Sequence, residues 1–571
     1  MFFKTAKPIL LWCVLHAAGR DIAWGRPAGG VHAGRCAAGQ SNPRRNIVKF
    51  FTTEGPVNCQ DHYCLPPLER FDLDEILNLI ALKKYFLMHA PRQTGKTSSL
   101  LALMTYLNQE GTYRALYANI EGAQAARENI EMGTAEVIHS IAFSARDFLG
   151  DNDALILAGQ IAGQVPATSV IKEFLNQWCR QSSRPTVLIL DEVDALIGDT
   201  LISLLRQLRA GYPNRPTLFP QSVILCGVRD IKDYRIHSSK ENTVITGGSA
   251  FNVKAESLRM GDFILQEVDT LLQAHTQETG QIFTEDACRL IWNFTQGQPW
   301  LVNALAYEVC FRMKQGRNRS VPITPEMIVQ AREQLIERRV THLDQLADKL
   351  KEPRVRRVVE PMLAGGIITE GTDDDRQYVI DLGLIRREGA GGLVIANPIY
   401  REVIPRVLAG APQDSLPHIS PTWLKPDGSL DTQALLASFL LFWRQHGEPL
   451  LRSAPYHEIA PHLVLMAFMH RVVNGGGTID REYAIGSGRM DVCIRYGDVT
   501  LAIELKVWRD GEPDPLSSGL KQIDGYLGGL FLNIGWLVIF DRRSGQPRIH
   551  ERTFTESAMT QAGRAITVIR A

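Results

Sequence analysis

The sequence predicts a multidomain α/β protein, on three observations. An apolar run, Tyr85-Phe-Leu-Met88, enters Ala90-Pro-Arg-Gln-Thr-Gly-Lys-Thr-Ser98 and leaves through Leu100-Leu-Ala-Leu-Met104, which reads as strand, tight loop and helix start. Thr186-Val-Leu-Ile-Leu190 is continuously apolar, as a strand buried on both faces of a parallel sheet must be, and it runs into Asp191-Glu192-Val193-Asp194. Near the C-terminus, Arg489–Arg495 and Val499–Val507 alternate on either side of Gly497-Asp498, the pattern of a hairpin.

With 571 residues, the chain is long enough for about three domains of ~150–200 residues each. Its 62 basic and 62 acidic residues cancel, so any nucleic-acid binding must rest on local patches rather than on global charge. The nine cysteines are scattered, which suits a reducing cytoplasm, the expected location. Cys59 and Cys64 bracket His62, but no second pair supplies the other ligands of a zinc site. No segment reaches the ~18–20 apolar residues that span a bilayer, so no membrane partner is expected. Lys4 and Lys7 before Ile9-Leu-Leu-Trp-Cys-Val-Leu15 imitate an export signal. The Gly/Ala/Arg-rich stretch that follows favours instead a disordered extension over 1–47, with initiation near Val48.

The loop from Ala90 to Ser98 has the chemistry of phosphate capture. Backbone N–H groups at a helix start point at an anion, and the helix dipole adds to the attraction. Ala90, Gln93, Thr94, Gly95, Lys96, Thr97 and Ser98 form the cradle. Lys96 would reach the β- and γ-phosphates and the Thr97 hydroxyl would hold Mg²⁺. Ala90 stands where the pattern usually has a glycine, which is tolerable if its φ stays negative. Asp191 ends a strand and suits Mg²⁺, while Glu192 could orient or deprotonate the attacking water. ATP and Mg²⁺ are therefore the expected cofactors.

Around this pair, residues 49–74 read as loop, next to a nucleotide base. A helix follows over 73–84, with further strands at Arg114–Ile120 and Ser222–Gly227. Arg229 follows the last of these, placed to sense a γ-phosphate or to make a surface ion pair. Arg206 and Arg209 are candidates for an arginine supplied in trans in a homo-oligomer. Thr284 caps a helix closed by Gly297, before Gln298-Pro299-Trp300, and Thr324-Pro325 starts another. Short helices lead past Tyr378–Leu382 to Leu384–Arg387, a Gly389–Gly392 turn and Leu393–Ile395. Arg354, Arg356 and Arg357 face either phosphates or a neighbouring domain. The Pro- and Gly-bearing stretch from Gly410 to Gly428 reads as a domain boundary.

These phosphate-loop and acidic-strand motifs, with Gly297-Gln-Pro299, resemble the STAND/AAA+-like branch of the P-loop ATPases over about residues 60–310. The resemblance implies a P-loop NTPase parallel sheet with a helical lid over 48–315, in which Pro299 senses nucleotide. It also implies a winged-helix domain over 316–410, followed by a linker over 411–440.

The last domain, 441–571, carries a second constellation. On the returning strand Val499, Leu501, Ile503, Leu505 and Val507 share one face, and Thr500, Ala502, Glu504 and Lys506 share the other. Hairpin pairing can bring Asp491 beside Glu504 and Lys506. Two carboxylates and an ammonium suit metal-assisted phosphodiester hydrolysis, or else form an ordinary charge trio on a solvated sheet. Asp491-x12-Glu504-x-Lys506 followed by Gln522-x3-Tyr526 resembles the PD-(D/E)XK nuclease superfamily, in its RecB-type branch, over about 445–545. That resemblance implies that Asp491 and Glu504, with Glu458 upstream, hold Mg²⁺ or Mn²⁺. It also implies that Lys506 is catalytic and Gln522 an accessory catalytic residue. Met490 replaces the proline expected before Asp491. The whole chain thus resembles bacterial proteins joining an AAA-like ATPase to a PD-(D/E)XK domain. The reading is an ATP-regulated nuclease acting on DNA. The alternative is a nucleotide-switched scaffold that binds nucleic acid or protein through an inactive nuclease-like domain.

Overall fold

The computed structural model describes residues 49–229, 235–238, 243–246, 254–338, 341–363, 373–389, 392–415, 421–453, 460–473, 477–485 and 488–571. Glu458 and the export-signal imitation lie outside the described residues, as does the extension to 47. Val48–Ala571 forms one compact unit.

Helix α1 (Leu73–Ala81) leads into β1 (Tyr85–His89), and α2 (Lys96–Glu110) returns to β2 (Arg114–Asn119). Three helices, α3 (Ile130–Leu149), α4 (Asp153–Ile161) and α5 (Val170–Arg180), separate β2 from β3 (Thr186–Asp191). Then come α6 (Gly198–Gly211) and β4 (Ser222–Gly227). The short antiparallel pair β5 (Arg235–Ser238) and β6 (Thr243–Thr246) precedes β7 (Lys254–Arg259). The main sheet has the order β2-β3-β4-β1-β7, and its pairings are all parallel. Strands β1, β3 and β4 are buried at every residue, because helices cover both faces. The acidic strand β3 is not adjacent to the loop strand β1; β4 lies between them. Strand β7, with Lys254, Glu256 and Arg259 among its six residues, has no apolar run and was not foreseen.

A helical block follows: α7 (Leu265–Thr279), α8 (Glu285–Thr295), α9 (Pro299–Tyr307) and α10 (Pro325–Glu337). Next are α11 (Thr341–Leu350), α12 (Pro353–Leu363) and α13 (Asp373–Asp381), the hairpin β8 (Ile385–Arg387) and β9 (Leu393–Ile395), and α14 (Pro398–Ser415). Tyr378 to Asp381 are helical. The stretch read as a boundary is helical at both margins: α14 runs through Gly410 and Pro412, and α15 (Thr432–Ser453) starts before 440. One apolar cluster joins Phe51, Trp300, Leu343, Val403, Phe439, Phe468 and Phe540, so packing continues across that stretch.

The C-terminal part runs α16 (Ala460–Val473), β10 (Gly477–Ile485), β11 (Gly488–Tyr496), β12 (Val499–Trp508), α17 (Leu516–Leu530) and β13 (Ile534–Asp541). It ends with α18 (Ile549–Arg552), β14 (Phe554–Met559) and β15 (Ala565–Arg570). These strands form a second sheet, β10-β11-β12-β13-β15-β14, in which β10, β11 and β12 are an antiparallel meander and β12 and β13 are parallel. One face packs on α15 and α16 through Leu501, Ile503 and Leu505. The other packs on α17 through Ala502, Leu537 and Ile539.

Candidate functional site: a phosphate loop facing a buried carboxylate

The loop between β1 and α2 takes its shape from two residues of positive φ, Gln93 at 59° and Gly95 at 91°. Gly95 is the N-cap of α2, and its left-handed backbone is one that side-chain-bearing residues seldom adopt. Ala90 keeps a negative φ and is buried, its N–H donating to Gly227 O at the end of β4. Glycine is therefore not needed at that corner. Thr94 Oγ1 donates to Pro91 O (2.8 Å), closing the loop on itself.

Lys96 is buried, and its Nζ donates to Ala90 O (2.9 Å) and Pro91 O (3.0 Å). Thr97 Oγ1 donates to Asp191 Oδ2 at 2.9 Å, so the sheet brings the two sequence-predicted Mg²⁺ residues into direct contact. Asp191 has no exposed surface, and its other oxygen, Oδ1, accepts from Glu192 N at 2.9 Å. Tyr117 on β2 donates its hydroxyl to Asp191 Oδ2 at 2.9 Å. Burial, and then the adjacent Asp191 charge, push the Tyr117 phenol far above its usual value, so it stays a donor. Sequence reading missed Tyr117: a tyrosine in an apolar strand carries no local mark of function.

Glu192 has left-handed backbone, φ 59° and ψ 40°, directly after β3. Burial raises its carboxyl above the ordinary range; the Asp194 and Asp191 charges add to this, and Lys96 and Arg92 oppose it. Asp194 Oδ1 accepts from Val228 N (3.2 Å), tying this turn to the end of β4. Ser98 Oγ accepts from Val57 N (2.9 Å), which brings the segment before α1 against the start of α2. In that segment Cys59 and Cys64 are joined as a disulfide. They are therefore not zinc ligands.

Arg229 is held 4.9 Å over the Tyr378 ring of α13, and Tyr378 donates its hydroxyl to Glu352 Oε2 (2.7 Å). Gly383, after α13, packs on Pro91 so closely that a Cβ there would lie 2.9 Å from Pro91 Cβ. Arg354 and Arg357 pair with Asp375, each at 3.3 Å, and Arg354 also lies 3.8 Å over Tyr378. These two arginines thus make ion pairs with the start of α13. Pro299 is buried in the first turn of α9, which Gln298 caps through Leu301 N (2.6 Å). The neighbouring Trp300 donates to Thr53 O (2.9 Å). Arg206 and Arg209 lie on the exposed side of α6.

In the C-terminal sheet Glu504 is 2% exposed and accepts from Lys506 Nζ at 2.8 Å. Its face is covered by α17, so the picture of a solvated charge trio does not hold for it. In β11–β12 the pairs run from Tyr496↔Val499 to Val492↔Ile503. Asp491 is the β11 residue next beyond the last of these pairs, and Glu504 the β12 residue next beyond it. Gln522 is exposed on α17, and Tyr526, one turn on, is half-buried.

No family model matches the sequence, and no curated protein matches it. Among solved structures, the chain is similar to the Walker-type ATPase of Pyrococcus abyssi, at 15% identity over 58% of this chain and 95% of that one, with a TM-score of 0.39. It is similar to the Aeropyrum pernix ORC2 protein at 14% identity, over 59% and 91% of the two chains, with a TM-score of 0.35. A third likeness is to Cdc6p from Pyrobaculum aerophilum at 14% identity, over 71% and 93%, with a TM-score of 0.32. Similarity this distant leaves the chemistry to the residues themselves.

Proposed function

We propose that the chain binds and hydrolyses ATP at the 90–98 loop, and that its nucleotide state regulates a metal-dependent nuclease site acting on DNA. The direct Thr97–Asp191 hydrogen bond carries the nucleotide half of this reading. It joins a phosphate loop to a buried carboxylate at one point, and their hard oxygens fit Mg²⁺. Held by Thr97 and Asp191, Mg²⁺ would supply positive charge against the phosphates. Lys96 exchanges the carbonyls of Ala90 and Pro91 for phosphate oxygens. Glu192, at the adjoining strand end, orients and deprotonates the attacking water. Asp191 is kept in place by Tyr117 and the Glu192 N–H while Thr97 turns from it.

Support for the nuclease half comes from the buried Glu504–Lys506 pair and from the register position of Asp491. The order α16–β10–β11–β12–α17–β13 places these on adjacent strands, with Gln522 on the following helix. Carboxylate oxygens there fit Mg²⁺ or Mn²⁺, which would supply an activated water. Lys506 balances the charge of Glu504 and of a phosphodiester brought beside it. Support for coupling comes from α13 and its following turn, which touch the nucleotide site through Tyr378–Arg229 and Gly383–Pro91. A phosphate that draws Arg229 from Tyr378 would shift that block through its differential affinity for the two positions.

The test incubates purified protein with plasmid and Mg²⁺ or Mn²⁺, with and without ATP, beside Lys96→Ala and Lys506→Ala. Lys506→Ala is expected to abolish cutting, and Lys96→Ala to abolish its response to ATP. Cutting that survives Lys506→Ala refutes the proposed nuclease site; cutting indifferent to both ATP and Lys96→Ala refutes the coupling. DNA binding without cutting under any condition would favour the scaffold reading.

A further inference from the structure

Arg542 follows β13, and its N–H donates to Trp508 O at 2.8 Å, fastening it to the end of the parallel pair β12–β13. Beside it lies a cavity of about 420 Å³, lined by Arg542, Gln546, Arg548, Arg552 and the single acid Glu448. Most arginines of this sheet are already engaged. Arg543 is bound to Asp541 and stacked 3.4 Å over Trp508, Arg564 pairs with Asp524, and Arg570 pairs with Asp514 and Glu556. Among the described residues, no ion pair or side-chain hydrogen bond engages Arg542, Arg548 or Arg552, and Arg552 Nε is buried with no partner.

Three guanidinium groups around one carboxylate form an excess of positive charge in a recess. Burial holds the Arg552 guanidinium below its ordinary value; the charges of Arg542 and Arg543 add to this, and those of Asp541 and Glu448 oppose it. Asp541 is already gripped by Arg543. An anion entering the cavity would relieve this crowding. The guanidinium fork matches phosphate oxygens in geometry as well as charge. The cavity volume lies in the range of small-ligand pockets, enough for a phosphate with part of its sugar. It sits at the carboxyl ends of parallel strands, where open α/β sheets place their ligands.

We propose that Arg542, Arg548 and Arg552 form a phosphate-binding site, separate from both the 90–98 loop and the Glu504–Lys506 pair. Its ligand is a phosphate group, carried on a nucleic-acid strand end or free in solution. Lys506 lies two residues before Trp508, about 7 Å of strand, so a strand end held here stays near the second constellation. The site does not depend on that constellation being active, because binding is read in EDTA without cutting.

The test measures binding of the full-length protein, by fluorescence anisotropy, to one single-stranded oligonucleotide bearing a 5′-phosphate, a 3′-phosphate or only hydroxyl ends. Inorganic phosphate is the competitor. A terminal phosphate should tighten binding about tenfold, as expected of charge-assisted bidentate contacts. Arg548→Ala and Arg552→Gln should each abolish that preference, while the exposed Arg542→Ala weakens it without changing the melting temperature. A free-anion site would instead show as equal binding of all three oligonucleotides together with millimolar phosphate binding by calorimetry, lost in Arg548→Ala. The proposal is overturned if the wild type neither prefers a phosphorylated end nor binds phosphate. It is equally overturned if the three variants, folded by their melting curves, bind as the wild type does.

Discussion

Replacing Tyr117 by Phe removes one hydroxyl from the buried donor set of Asp191 and leaves the ring in place. Asp191 is wholly buried and takes hydrogen bonds from Tyr117, Thr97 and the Glu192 N–H. A hydrogen bond to a charged group contributes ~1.5–3 kcal/mol. Two donors remain, so the expected loss of stability without nucleotide is about 2 kcal/mol, read from urea unfolding at pH 7.5. The effect on metal use should be at least as clear. When Thr97 turns toward Mg²⁺, the carboxylate depends on Tyr117 and one backbone N–H, and its aim at the metal loosens if the phenol is gone. A loss of ~1.4 kcal/mol in that aim is tenfold in apparent Mg²⁺ affinity, measured by titrating ATPase activity with Mg²⁺ at fixed ATP. An unfolding free energy unchanged within 0.3 kcal/mol (about the smallest shift such curves resolve) together with an unchanged Mg²⁺ midpoint would refute Tyr117 as the support of Asp191.

Three further variants have expected outcomes. Glu192→Gln should abolish ATP hydrolysis while leaving ATP binding intact, as measured by single-turnover hydrolysis and nucleotide binding. The Glu192 carboxyl is raised in the folded state, so at pH between its unfolded and folded values the folded protein holds a proton there that the unfolded chain has released. Ionising it on raising the pH therefore lowers stability. Relative to wild type, Glu192→Gln should gain stability as pH rises through that folded value, and the gain should vanish on the acid side; a gain that grows toward acid pH contradicts the burial argument. Gly383→Ala places a Cβ 2.9 Å from Pro91 Cβ at a φ of +77°. It should cost ~1–3 kcal/mol and alter ATP affinity; destabilisation with unchanged affinity would separate the α13 turn from the nucleotide site. Gly297→Ala would drive a Cβ to 1.8 Å from Phe263 O at φ +77°. It should prevent soluble expression at 37 °C, and a variant that melts like the wild type would contradict the packing at this corner.

The sequence alone determined the elements whose signal is local. β1, β3 and β4 are legible because a parallel strand covered on both faces must be apolar throughout, and they lie within a residue of where the runs predict them. The loop at Ala90–Ser98 is legible because its chemistry is contiguous, and β11–β12 because alternation and a Gly-Asp turn specify a hairpin. Signals spread over distant segments were decided only by the tertiary structure. Tyr117 lies 74 residues from Asp191 in the chain and meets it only because β2 and β3 pair in parallel. β7 owes its place to the edge it adds to β1, not to an apolar pattern. Helix α14 continues across Gly410 and Pro412, residues that local propensity alone would place at or beyond a helix end. The burial of Glu504 is decided by α17, which covers its face of the sheet. Arg229's place over Tyr378 of a later helix is likewise set by packing, and the three arginines at the end of β13 converge only once α18 folds against α15. In each of these, a side chain's role follows from which distant surface closes over it, and burial of that kind is a property of the whole packed chain.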